Sequence, residues 1–137
     1  MNETTTETRS VVVEREIPYP PEKIWRALTQ SHLIEEWLMM KNDFKPDEGR
    51  RFNLSADWGG VDCQVQAVEP AKTLSYTWDT KDLRSVITWT LTPTSTGTHL
   101  RMEQSGFRAD QRPYYQGATV GWRKFFGNLE QVLARLD

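Results

Sequence analysis

Cysteine is almost absent: Cys63 is the single one in 137 residues. No disulfide can form within the chain, and a reducing compartment suits it best. Histidine is scarce too, limited to His32 and His99. Neither stands at metal-ligand spacing with Cys63, and no HExxH or CxxC pair exists, so no metal and no cofactor is expected. A Gly-rich phosphate loop and a GxSxG elbow are both missing. No excess of charge is present either: 17 basic and 19 acidic residues leave a formal net charge of −2. That balance argues against a general nucleic-acid binder, which needs a basic face to release counterions. No apolar run approaches the ~18 residues of a membrane span. The start, "MNETTTET", has neither the basic residues nor the apolar stretch of a signal peptide. The expectation is a cytoplasmic chain with a loose tail over 1–8 and a single domain over 9–137.

Tryptophan is plentiful, at Trp25, Trp37, Trp58, Trp78, Trp89 and Trp122. It brings large apolar area and one N–H, which suits a packed core and a wet pocket alike. "RSVVVEREI" puts Val11, Val13, Arg15 and Ile17 on one strand face. In "YPPEKIWRALT", Pro20 and Pro21 suit a helix's first turn, Glu22 suits its N-terminal dipole, and Ile24, Trp25 and Leu28 recur at helical spacing. Ser31 reads as the N-cap of a second short helix with Ile34, Trp37 and Leu38 as its stripe.

From residue 43 the apolar period becomes two. Phe52, Leu54, Ala56 and Trp58 share a face, and Gly59-Gly60 reads as the hairpin turn. Val61, Cys63, Val65 and Ala67 follow, then Leu74, Tyr76 and Trp78, then Ile87, Trp89 and Leu91, then Leu100, Met102 and Gln104. Short turns between these runs predict an antiparallel meander, with the first strand as its edge partner. A last helix is predicted over about 110–136, capped by Asp110, with Ala118, Trp122, Phe125, Leu129, Val132, Leu133 and Leu136 in one stripe. At ~1.5 Å per residue, about 26 residues cross a whole sheet. The class is α+β: a curved antiparallel sheet wrapped around a long C-terminal helix, with two short helices after the first strand.

Three stretches carry a family resemblance: "VEREIPYPPEKIWRALTQSHLIEEWL", "ITWTLTPTSTGTHLRMEQSGF" and "GWRKFFGNLEQVLARL". Over about residues 9–136 the chain resembles stand-alone domains related to the C-terminal domain of the activator of the ninety-kilodalton heat-shock protein's ATPase. That family lies in the START/birch-allergen-like (SRPBCC), polyketide-cyclase-like superfamily. The resemblance implies a helix-grip fold with a cavity between sheet and helix, and links the family to stress response. Its members include ligand carriers, sequestering proteins and cyclases, so fold alone does not name the activity. The eukaryotic activator carries an additional N-terminal domain for which 137 residues leave no room, so a full co-chaperone role is not expected.

Gly117 and Gly121 stand inside the predicted long helix, where each costs ~1 kcal/mol relative to alanine. Either close packing against the sheet or room for a ligand accounts for them. The expected pocket wall is Leu54, Trp58, Val65, Tyr76, Trp78, Trp89, Met102 and Gln104 from the strands. Tyr114, Ala118, Gly121 and Trp122 complete it from the helix, with Trp37, Leu38 and Met40 at its mouth. Related sequences often carry histidine where Gln104 precedes "SGF". An amide hydrogen-bonds but is no general base near neutral pH. No catalytic residue is expected. The leading reading is a hydrophobic or aromatic small molecule bound without catalysis, by a monomer or homodimer. A cyclase- or hydrolase-like enzyme would need an ionisable group inside. A chaperone-related interaction protein would need an exposed apolar patch, for example Trp37–Met40.

Overall fold

The computed structural model describes residues 8–137. The loose tail expected over 1–8 lies outside them except at Thr8, which already belongs to a strand. The chain runs β1 (Thr8–Ile17), α1 (Pro21–Thr29), α2 (Ser31–Leu38), β2 (Lys41–Asn42), β3 (Arg51–Ala56), β4 (Gly59–Glu69), β5 (Thr73–Asp79), β6 (Arg84–Pro93), β7 (Thr98–Arg108), and α3 (Arg112–Arg135) after a 3₁₀ turn at Ala109–Gln111. Seven strands form one antiparallel sheet in the order β1-β7-β6-β5-β4-β3-β2. The meander is therefore continuous from β2 to β7, and β1 closes it as an edge strand beside β7. The helix α3 covers the apolar face of the sheet, as the expected helix-grip class requires.

The period-two pattern places most of the strand faces correctly. Leu74, Ile87, Leu91, Leu100 and Met102 are buried under the helices. In α1, Pro20 takes the N-cap and Pro21 the first helical position, where a missing N–H costs nothing. Ser31 is not the cap of α2. Gln30 is, and the Ser31 hydroxyl donates to the Asn42 carbonyl at 2.8 Å, tying the helix to β2. Asp110 likewise falls within the 3₁₀ turn, and Gln111 caps α3.

Three irregularities change which side chains face inward. In β4 the pairing with β5 skips Gln66, since Val65 pairs with Tyr76 and Ala67 with Ser75, so Ala67 leaves the expected Val61–Cys63–Val65 face and Val68, opposite Leu74, packs on the core instead. The β3–β4 hairpin turns at Asp57-Trp58, because Ala56 already pairs with Gly59. Trp58 therefore leaves the Phe52–Leu54 face and stands 64 % exposed at the hairpin tip. In β7 the pairing with β1 skips a residue, since Arg9 faces Phe107 and Ser10 faces Ser105. Gly106 is the extra residue, with φ +115°, and a Cβ there would stand 2.5 Å from the Arg84 carbonyl oxygen. Glycine alone fits that bulge. The bulge shifts the alternation by one and turns Phe107 into the core, where it is buried.

Half of the inner space is solid. Trp37 lies edge-on to Trp89 with centroids 5.6 Å apart, and Trp89 stacks on Phe126 at 5.6 Å. Phe44, Phe52 and Tyr76 form a second aromatic group, with Phe44 and Phe52 centroids 4.9 Å apart. The Trp37 indole donates to the Ala27 carbonyl at 2.8 Å, which locks α2 onto α1. Phe126 is fully buried although the expected stripe ran through Phe125, which is only partly covered. Arg15, on the inward face of β1, runs out over the Phe126 ring to Glu130, 3.5 Å away, and keeps its charge at the surface.

Candidate functional site

The other half of the space between sheet and α3 is open. A chamber of about 470 Å³ lies between the β5–β6 hairpin, the bulged end of β7 and the N-terminal half of α3. Trp78 from β5 and Trp122 from α3 form its inner wall, with ring centroids 5.6 Å apart. Leu83 and Phe107 add apolar surface, and Gly117, Ala118 and Gly121 form the helix side. Met40, Trp58 and Phe125 stand between this chamber and a second hollow that opens past Leu38, Met39, Lys41 and Lys124.

Glycine makes the room on α3. A Cβ built on Gly117 would meet nothing within 4 Å, and one on Gly121 would meet only the Phe125 ring at 3.8 Å. Close packing against the sheet, the first of the two accounts of these residues, is therefore excluded. Gly117 is exposed and Gly121 half-buried, and both line the chamber.

A single polar side chain reaches deep among the described residues that line the chamber. Gln104 is 2 % exposed, and its amide is held by a directed chain. The Trp122 indole N–H, a donor only, gives to Gln104 Oε1 at 2.7 Å. That fixes Nε2 on the other side, where it donates to Ser85 Oγ at 3.0 Å. Ser85 in turn donates to the Trp78 carbonyl at 2.6 Å. The chain sets the rotamer of Trp122, and it joins α3 to β5, β6 and β7.

Charge is confined to the rim. Lys81 and Asp82 sit on the β5–β6 turn, and the Tyr114 hydroxyl donates to Asp82 Oδ2 at 3.1 Å. That hydrogen bond, with the carboxylate's charge, raises the Tyr114 pKa and keeps its proton on. Gln111 donates to the Asp82 carbonyl, so the turn is pinned from two positions at the start of α3. The buried polar side chains among the described residues are Ser85, Thr98, Gln104 and Gln111, and none of them is a carboxylate. Cys63 is buried, and burial first, then the charges of Asp79 and Asp62, push its thiol pKa far up. It is a small core hydrophobe here.

Among the expected wall residues, the structure brings Met40, Trp58, Trp78, Gln104, Tyr114, Ala118, Gly121 and Trp122 around the chamber. Leu38 borders the second hollow. Trp37, Leu54, Val65, Tyr76, Trp89 and Met102 are buried in the solid half and line neither space. The "WLMM" segment is not an exposed patch: Trp37, Leu38 and Met40 are buried, and only Met39, the left-handed C-cap residue of α2, stands out. Sequence reasoning missed Thr80, Lys81, Asp82, Leu83, Phe107 and Phe125. The polar turn "TKD" between two clear strands marked a hairpin and gave no sign of facing a cavity.

A curved antiparallel sheet gripping a long helix around an open, mostly apolar chamber defines a helix-grip domain. The chain belongs to the Activator of Hsp90 ATPase homolog 1-like family, whose model matches residues 18–134. Among solved structures it is similar to protein MLL2253 from Mesorhizobium loti, at 69% identity and TM-score 0.91, over 94% of this chain and 99% of that one. Protein BH1534 from Bacillus halodurans matches at 29% identity and TM-score 0.81, over 91% and 96% of the two chains. DynU16, from the dynemicin biosynthetic locus, shares the fold at 23% identity and TM-score 0.82, over 91% of this chain and 47% of that one. No curated protein matches the sequence. Among the described residues, no helix is long and apolar enough to cross a membrane.

Proposed function

We propose that this domain binds an apolar, aromatic small molecule in the chamber beside α3 and performs no chemistry on it, as a cytoplasmic carrier or sequestering protein. The observation that carries this reading is the pair of helix glycines that line the chamber. Each costs ~1 kcal/mol of helix stability against alanine, and neither is required by packing. The volume, about 470 Å³, falls in the range of small-molecule sites, and the walls are aromatic with one deep polar group. Burying ~200 Å² of apolar ligand surface contributes about 5 kcal/mol before the cost of association. The absence of a carboxylate from the buried polar set described above favours binding over acid–base catalysis. One protein of this fold, DynU16, comes from a biosynthetic locus, a setting that suits a carrier of small molecules.

The test is intrinsic tryptophan fluorescence, titrated with flavonoids, fatty acids, sterols and polyketides. Trp78 and Trp122 line the chamber, so an occupant quenches or shifts the signal saturably. Gly121→Leu places a side chain in the chamber and is expected to abolish the response while the fold persists. An unchanged response in that variant refutes the reading.

A further inference from the structure

Cations stand at the wrong end of α3. A helix start exposes N–H groups and is positive, so carboxylates suit the first turn and arginines the last. The short α1 obeys, with Glu22 in its first turn and Arg26 in its last. At α3 the last turn carries Arg135, but the first turn holds no acid and begins with Arg112. Two more arginines join it. Arg108 ends β7 and precedes the 3₁₀ turn that leads into the helix. Arg9, near the start of β1, lies opposite Phe107 and so shares the sheet face that α3 covers.

These three arginines come from three elements and line one hollow of about 120 Å³, together with Ala109 and Tyr115. It is separate from the chamber, and the two share no lining residue. Its charge is only partly cancelled. Arg108 Nε meets Asp110 Oδ1 at 3.1 Å. Among the described residues no carboxylate pairs with Arg9 or Arg112, whereas Arg15, Arg50, Arg101 and Arg135 each have one. Two positive charges are left over at the hollow. Like charges gathered at a positive helix end repel, and stability alone selects against them. Local rules of this kind are broken most often at functional sites.

We propose that this hollow is a phosphate site, taking the phosphate group of a small-molecule monoester or the free ion. A monoester carries about −1.5 to −2 near neutral pH, which matches the surplus. Arginine forks hydrogen-bond two phosphate oxygens at once. Tyr115 adds an aromatic wall, set edge-on to Phe107 with centroids 5.7 Å apart. Sites for whole small molecules run from about 300 Å³ upward, so this hollow takes the phosphate and leaves the rest of an ester in solvent. A carboxylate, with one charge, leaves half the surplus unmatched. A nucleic-acid backbone needs a basic stripe rather than one hollow. The proposal does not depend on the chamber and stands or falls without it.

Inorganic phosphate, glycerol 3-phosphate and acetate test it. Each is titrated into ¹⁵N-labelled protein near neutral pH at one fixed, low ionic strength. The expected result is saturable movement of the Ala109, Asp110 and Arg112 amide signals and of the Arg9, Arg108 and Arg112 Nε–H signals, with the Trp78 and Trp122 indoles unmoved. Both phosphates should bind ~10-fold or more tightly than acetate. Glycerol 3-phosphate ahead of phosphate identifies an ester as the ligand, and the reverse order identifies the free ion; either order supports the site. Arg9→Gln combined with Arg112→Gln should weaken both phosphates at least ~10-fold. Because it removes cations from a positive helix end, that variant should melt at or above the wild-type temperature. Acetate binding as tightly as the phosphates overturns the proposal, as do the same shifts in the double variant. A double variant that melts lower and still binds phosphate shows the arginines to be structural. Hollow signals that neither phosphate moves also overturn it, and leave the chamber reading untouched.

Discussion

Replacing Gly117 and Gly121 by alanine should stabilise the protein and weaken whatever it binds. A Cβ at Gly117 meets nothing within 4 Å, and one at Gly121 makes an ordinary contact with the Phe125 ring at 3.8 Å. No clash offsets the gain in helix propensity, so each change contributes about 1 kcal/mol. The unfolding entropy near the midpoint is ~2.1 cal/mol/K per residue, or about 0.29 kcal/mol/K for 137 residues. The double variant, at about 2 kcal/mol, should therefore melt ~7 °C higher. Thermal unfolding followed by circular dichroism, with a urea titration to confirm an unchanged slope, measures this directly. Ligand affinity should fall in the same variant, because the two methyl groups stand in the chamber. A melting point at or below wild type would show that these glycines serve packing, and the reasoning from empty space would fail.

Other consequences follow from single contacts. Trp122→Phe leaves the Gln104 oxygen, buried and held by the indole at 2.7 Å, without its donor, and should cost ~1–3 kcal/mol in urea unfolding; a neutral result would mean the amide finds another partner. His99 stands on the outer sheet face between Glu14 and Glu16, with Nε2 2.8 Å from Glu14. Hydrogen bonds to Glu14, then to Glu16, hold its pKa above the ordinary value of about 6.5. A raised folded pKa means the protonated form stabilises the fold. That contribution is complete below pH ~6.5 and is lost as pH rises through the folded pKa. Proton NMR titration should show the elevation, and Glu14→Gln should reduce it; a value at or below the ordinary one contradicts the pairing. The Cys63 thiol, buried and held protonated, should react with a disulfide reagent only at the rate of unfolding. Fast modification of the native protein would place it at an accessible surface instead.

Alternation in the sequence assigned most strand faces, failing at Ala67, where the β4 bulge reverses the phase, and at Trp58. Leu74, Tyr76, Ile87, Trp89, Leu100, Met102 and Gln104 all point inward as period two requires. What alternation does not carry is position along the strand. Trp89 and Tyr76 share a face with Gln104 and Trp78, yet Trp89 lies where Trp37 and Phe126 fill the space and Tyr76 where Phe44 and Phe52 do, while Gln104 and Trp78 border the chamber. Phe107 was hidden by the bulge at Gly106, which reverses the phase over one residue. Trp58 was misplaced for the converse reason: the pattern continued past the point where the chain turns. A two-residue turn at Asp57-Trp58 followed by Gly59 reads, in sequence, much like a turn on the glycines themselves. The helix glycines were visible as a cost, and only the structure shows that they line the chamber.

The central claim is that the chamber between Trp78, Trp122 and the α3 glycines takes up aromatic molecules. Benzene added to saturation, with the indole and methyl signals recorded by NMR, tests it most directly and needs no knowledge of the natural ligand. The account predicts saturable shifts confined to the Trp78 and Trp122 indoles and the Ala118 and Met40 methyls, absent from folded Gly121→Leu protein. Unmoved chamber signals, or the same shifts in Gly121→Leu, would contradict it.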